Sequence, residues 1–394
     1  MIINYVNLFG CLVLLVFPYL ISSLGSSSLA IGTLIGVLFV LSIKLISGAH
    51  QYFSASRLFF VFMFLAVNIV VTSVYYNQIF VPVQFQSMLL LGLLFIFSES
   101  LARSLRYLDD VQARSYNFYV VGILLGSSLI SMFNNFKFVL GPKSILYFSE
   151  PSLFSLAISP FLLYAILSAN RLVCSSFLII FIVETIYCES TVMLVLTSFC
   201  ALIYIFRFSS SAYLKLAYLA LLLIACNQYI LSNNYYSSRI FLDDQNVSSL
   251  VYQRGVEASL VSLLSPPFIG VGFQMMSVRS PITLTVDKLE KLYLGQLNIH
   301  DGGTLGAKFV TEFGWMGLIV LIFFLFINVP ELFFSLSKLS GKKALQGDYI
   351  YIACTISVFI QLFVRGSGYL GPSFVLSYLS IGFHPSIGWL RGKK

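Results

Sequence analysis

Apolar runs of roughly 16–22 residues recur along the whole chain, separated by short polar clusters. They lie near 5–23, 28–48, 57–76, 80–98, 117–135, 150–168, 172–188, 190–208, 213–231, 305–328, 348–364 and 369–386. As helices, such runs can cross a hydrocarbon core about 30 Å thick, and helices satisfy their backbone groups within the segment. The runs are too continuous for barrel strands, which alternate. Charged residues make up 10% of the 394 positions and hydrophobic residues 58%, whereas a soluble domain usually carries about 25% charge. The expected fold is all-α, a polytopic integral membrane protein of about twelve transmembrane helices with one large extracytoplasmic loop. Residues 1–231 then hold helices one to nine, 232–304 the loop with an amphipathic helix, and 305–394 helices ten to twelve with a cytoplasmic C-terminus.

The net charge of +8 does not point to nucleic acid, because the basic residues form no patch or stripe. One set of alternate connections carries Lys44, Arg57, Arg103, Arg106, Arg114, Arg171, Arg207, Lys215, Lys338, Lys342 and Lys343, and the tail adds Arg391, Lys393 and Lys394. That asymmetry places this set in the cytoplasm and the 232–304 loop outside it. The N-terminal run lacks a basic n-region and a small-residue cleavage site, so it reads as a retained first helix. The six cysteines lie in or beside apolar runs with no ligand spacing and read as packing residues.

Charge at membrane depth is costly, so the exceptions are informative. Glu150, Glu184, Glu189, Glu312 and Arg365 all fall near the outer ends of apolar runs. Together with Arg239, Arg254, Arg279 and His300 of the loop they are expected to form a charged outer chamber. Glu150, followed by Pro151, is equally an acid favoured at a helix N-terminus. Within the loop, Leu250, Val251, Val256, Leu260, Leu263 and Leu264 give 246–264 the spacing of an amphipathic helix against the membrane surface or the bundle. The helix ends at Ser265–Pro267, and Gly270–Phe273 reads as a flexible turn after it. Guanidinium groups bind diphosphate oxygens bidentately and neutralise a departing diphosphate. A nearby carboxylate or histidine can take a proton from a sugar hydroxyl. The first outer loop, Ser22–Ser28, has no carboxylate, Asp109–Asp110 is cytoplasmic, and Asp243–Asp244 lacks flanking ligands. A metal-independent, arginine-assisted transfer without a soluble cofactor is the expectation.

Several segments resemble the Wzy-type O-antigen and exopolysaccharide polymerases, which are related to O-antigen ligases. They are Ser149–Ser152 with Phe154 and Pro160–Tyr164, Glu189–Thr191, Arg254, Pro266–Phe273, His300–Gly302, Phe313–Leu318 and Arg365–Tyr369. The likeness covers about 149–370. His300 is followed by Asp301, where the ligases usually show Asn, Ser or Gln. The resemblance implies a GT-C-like glycosyltransferase of the bacterial inner membrane, with its active site facing the periplasm. It would transfer a growing glycan from undecaprenyl diphosphate to a new lipid-linked repeat unit. Its partners would be those oligosaccharide units, the bilayer and a separate membrane protein that sets chain length. Glu150, His300 and Arg254 would be catalytic, and Arg239, Arg279, Arg365, Tyr369, Glu184, Glu189 and Asp301 would bind substrate. The competing readings are an O-antigen ligase that uses lipid A-core as acceptor, and a lipid-linked oligosaccharide flippase.

The orientation is open to a direct check. Alkaline phosphatase fused within 265–300 is expected to be active and fused after Arg207 inactive; the reverse pattern would invert the topology.

Overall fold

The computed structural model describes residues 9–10, 13, 16–21, 29–46, 54–77, 82–106, 109–134, 145, 148–209, 211–240, 246–279, 281–295, 297–300, 302–339 and 345–386. Asp301, Asp243–Asp244, Cys11, the Ser22–Ser28 loop and the basic tail from Arg391 lie outside the described residues. Within them the chain is helical and forms no β-strand. The helices are α1 (Leu29–Ile46), α2 (Ala55–Tyr75), α3 (Pro82–Arg106), α4 (Asp110–Asn134), α5 (Pro151–Ser168), α6 (Arg171–Cys188), α7 (Thr191–Phe208), α8 (Ala212–Ser232), α9 (Asn234–Ile240), α10 (Val247–Leu264), α11 (Leu284–Lys291), α12 (Leu305–Leu339), α13 (Gln346–Phe363) and α14 (Pro372–Gly382).

Among the described residues, eight helices, α2 to α8 and α12, are long and apolar enough to cross a membrane. Their outward faces are apolar: Phe60, Val74, Leu172, Tyr213 and Phe326 are all more than two-thirds exposed. Apolar patches on that scale need a nonpolar solvent, and lipid supplies one. The architecture is that of a multi-pass membrane protein. The first window, 5–23, lies largely outside the described residues, and the described helices of the other remaining windows are shorter or less apolar. The last run becomes an 11-residue helix that starts at Pro372, where the missing N–H costs nothing. The eleventh forms the 18-residue α13, nearly all of whose residues are buried inside the bundle.

The centre of the bundle is α5, packed against α7 and α13. Nearly all its residues are buried. Pro160 inside it removes the donor that would serve the Leu156 carbonyl, and the Ser159 hydroxyl donates to that oxygen at 3.0 Å. The same hydroxyl donates to Ser357 Oγ at 2.9 Å and ties α5 to α13. Near the C-terminal end of α3, buried Glu99 accepts from Arg103 at 3.0 Å, from Arg57 at 3.4 Å and from the Tyr378 hydroxyl. This cluster joins α2, α3 and α14.

The loop folds back through a break in α12. Gly314 has φ 57° and ψ −134°, outside the helical region, and into the break fits the segment 268–273. Val271 N–H donates to the Thr311 carbonyl at 3.0 Å, Gly272 N–H to that of Glu312 at 2.9 Å, and Trp315 N–H to that of Phe268 at 3.1 Å. The flexible turn expected at Gly270–Phe273 is therefore a fixed, hydrogen-bonded insert. Gly270, at φ 78°, brings its backbone so close that a Cβ would lie 2.5 Å from the Glu312 carbonyl carbon.

The helix α10 buries a face rich in small residues. It lies along α12 through small residues, Gly255, Ala258 and Ser262 among them, and Ser259 Oγ donates to the Ala307 carbonyl at 3.0 Å. Leu250 and Val251 are buried, while Val256, Leu260 and Leu264 form an exposed stripe. Close approach of two helices requires small side chains, so packing rather than hydrophobicity chose the buried face.

Replacing Gly314 by Ala forces a Cβ onto the Phe268 carbonyl at a positive φ. The expected cost is about 2 kcal/mol or more, read as a lower melting temperature in detergent with the α10 segment newly open to protease. An unchanged melting temperature would contradict this packing.

Candidate functional site

One open cavity of about 650 Å³ gathers charged groups from four places in the chain. The start of α5 gives Glu150 and Ser152, the α6–α7 turn gives Glu189 to Thr191, α9 and the start of α10 give Tyr235, Arg239, Ser248 and Tyr252, and the turn after α13 gives Arg365. Four residues singled out in the sequence, Glu150, Glu189, Arg239 and Arg365, thus line one space.

Glu150 holds the N-cap position of α5 without capping it. Its Oε2 accepts from Ser152 Oγ at 2.8 Å and pairs with Arg365 Nη2 at 3.4 Å. The side chains of that pair are 52% and 22% exposed, so the pair itself stabilises by under about 1 kcal/mol. Arg365 is set by its own backbone, whose N–H donates to the Ile360 carbonyl at 3.1 Å. Arg239 lies over the Tyr235 ring, 4.1 Å from its centroid, and its Nη2 donates to Ser248 Oγ at 2.9 Å. Burial lowers the Arg239 pKa, opposed by Tyr235 and Glu150 and assisted by the like charge of Arg365. The Nε atoms of Arg239 and Arg365 are buried with no hydrogen-bond partner among the described residues. Buried donors without acceptors are costly. The Arg254 Nε is buried and unpartnered as well, but Arg239 and Arg365 line an open cavity, an arrangement suited to a ligand with several anionic oxygens.

Glu189 sits where α6 turns into α7 with φ 46°, a conformation usual for Gly or Asn. Its Oε1 accepts from Asn233 Nδ2 at 3.3 Å. Burial raises the Tyr235 pKa, Arg239 opposes the rise, and Glu189 and Glu150 add to it. That places the phenol within electrostatic reach of both acids.

The other expected site residues lie elsewhere. Arg254, only 1% exposed, does not line the cavity: its Nη1 donates to the Gly295 carbonyl at 3.0 Å and its Nη2 to that of Leu297 at 2.5 Å. Burial lowers its pKa, and it makes no ion pair among the described residues. Arg279 lies over the Tyr76 ring at 4.5 Å and donates to the Val271 carbonyl at 3.0 Å, securing the insert. The His300 side chain is exposed, and its carbonyl accepts from Lys308 Nζ at 2.6 Å. Tyr369 stacks on Phe273 with centroids 5.7 Å apart. Glu184 is fully buried in α6, away from the cavity, beside the Ser128 hydroxyl of α4. Asn233, Tyr235, Ser248 and Tyr252 were not singled out from the sequence. The signal for two of them was Asn233-Asn234-Tyr235-Tyr236, a turn with aromatics just past an apolar run, where tyrosines favour the membrane interface.

Among the described residues no three of His, Cys, Asp and Glu converge as a metal site would require. A second cavity of about 100 Å³ lies between α3, α4, α5, α13 and α14 and has no charged lining residue. Comparison of the chain with protein-family models, curated proteins and solved structures finds no match.

The two kinds of arginine are expected to separate experimentally. Arg254→Ala strands two carbonyls and should cost about 3 kcal/mol, read as a clearly lower melting temperature. Arg365→Ala should change stability by less than about 1 kcal/mol. Equal effects on melting would contradict this division.

Proposed function

We propose that the protein is an O-antigen or related surface-polysaccharide polymerase, a metal-independent glycosyltransferase using a polyprenyl-diphosphate-linked donor. Its full span count of about twelve, its place in the bacterial inner membrane and its periplasm-facing site belong to the same proposal. The observation that carries it is the cavity in which Arg239 and Arg365 converge with buried, unsatisfied donors next to Glu150 and Glu189. A volume of about 650 Å³ is in the range of ligand sites, and it adjoins helices whose outer faces suit lipid. A lipid-linked diphosphate with a sugar attached needs that combination: apolar surface for the chain, cations for the diphosphate and polar groups for the sugar.

In this reading, the arriving diphosphate displaces Glu150 from Arg365, which the weakness of that exposed pair permits. The two guanidinium groups then hold the oxygens whose charge grows as the bond to the anomeric carbon breaks. Tyr235 and Tyr252 supply ring faces for the sugars. Arg254 supports the site by holding the Gly295 and Leu297 carbonyls and takes no part in the chemistry.

The test is the glycan profile of the bacterium that carries the gene. Deletion should leave lipid A-core bearing single repeat units and no ladder. Arg365→Ala and Arg239→Ala should do the same at normal protein levels, since loss of one charge-stabilising group costs about 10²-fold or more in rate. An unchanged ladder would remove the reading, and complete loss of O-antigen from the core would turn it toward a ligase or flippase.

A further inference from the structure

Two carboxylates line the cavity, and their surroundings differ. Glu150 is engaged by Arg365 and by the Ser152 hydroxyl. Both contacts are made to Oε2 of a side chain that is 52% exposed, and the Arg365 contact is the one a bound diphosphate displaces, so Glu150 is not held in one direction. Glu189 has no cationic partner among the described residues, and only its Oε1 is engaged, by Asn233. Asn233 is itself oriented, because its Oδ1 accepts from the Tyr235 N–H at 2.8 Å. With the oxygen so assigned, the amide nitrogen must face Glu189, and it fixes one carboxylate oxygen while leaving the other free.

The backbone adds a separate observation. Glu189 terminates α6 in the left-handed region, where a non-glycine residue costs about 1 kcal/mol. Glycine would serve the turn without that cost. An acid at the N-terminal side of α7 is favoured by the helix dipole, but the dipole requires neither the left-handed backbone nor the oriented amide. Strain held at the wall of a cavity, on a side chain aimed by a second residue, is characteristic of a group that has to be placed.

We propose that Glu189 is the general base of the transfer, with Asn233 as its positioning residue. This rests on the function proposed above. The acceptor sugar's hydroxyl proton passes to Glu189 Oε2. The oxygen's electron pair forms the bond to the donor's anomeric carbon. The bond from that carbon to the diphosphate oxygen breaks, and its electron pair stays on the diphosphate, beside Arg239 and Arg365. Glu189 then returns its proton to water.

Azide distinguishes this role, because it attacks the anomeric carbon without needing to lose a proton. In membranes containing the bacterium's own lipid-linked glycan, wild type should release polyprenyl diphosphate, and E189A should release it at least about 100-fold more slowly. Sodium azide should restore release by E189A about tenfold or more, with glycosyl azide as the product. E189Q, which can still accept from Asn233, should keep the wild-type melting temperature and lose transfer. N233A should be slowed about tenfold. Normal transfer by E189Q, or an E189A defect that azide leaves untouched, would overturn the base role while leaving the glycosyltransferase reading intact. No release by wild type would overturn both.

Discussion

The contact on which the rest depends is between two stretches of backbone. Residues 268–273 enter the break at Gly314 and hydrogen-bond to the exposed carbonyls of α12. Deep in an apolar bundle those carbonyls would otherwise lack donors, at several kcal/mol each. The insert satisfies them, and in doing so it anchors the 232–304 loop. Gln274 N–H reaches the Glu312 carboxylate at 2.8 Å, and Lys308, 3.9 Å from that carboxylate, holds the His300 carbonyl. With α10 fixed along α12, α9 and the start of α10 close one side of the cavity.

The electrostatics of the cavity follow from that closure. Its formal charges balance, two arginines against two glutamates, yet they are not paired one to one. Only Arg365 and Glu150 meet, and at 3.4 Å in a partly exposed setting. Arg239 is left with a tyrosine face and a serine hydroxyl. A tightly paired quartet would be a structural feature; a loosely paired one leaves cations available to an anionic ligand. The guanidinium groups of Arg254 and Arg279, which do not line the cavity, serve backbone carbonyls instead.

The spans were legible because a run of apolar residues has few alternatives in lipid; α2 to α8 and α12 fall on the windows the sequence marks. Half of the cavity was legible for a related reason, since Glu150, Glu189 and Arg365 are charges where charge is costly. Arg254 and His300 do not line the cavity, which the sequence could not show, because a loop arginine bound to carbonyls and one facing a cavity look alike in it. The face of α10 buried in the bundle was not legible, because it includes Gly255, Ala258 and Ser262, which hydropathy overlooks; its exposed stripe of Val256, Leu260 and Leu264 suits the membrane-surface contact that the spacing allowed. Glu99 and Arg103, four apart on α3, carried a readable pairing signal that the search for outer-end charges passed over.

The central claim is that Arg239 and Arg365 form a diphosphate site. The most direct measurement is equilibrium binding of undecaprenyl diphosphate and undecaprenyl monophosphate to the full chain in lipid nanodiscs. The wild-type protein should prefer the diphosphate by about tenfold or more, about 1.4 kcal/mol, and the double variant R239A/R365A should bind the two lipids alike. Equal binding by wild type, or an undiminished preference in the double variant, would contradict the account.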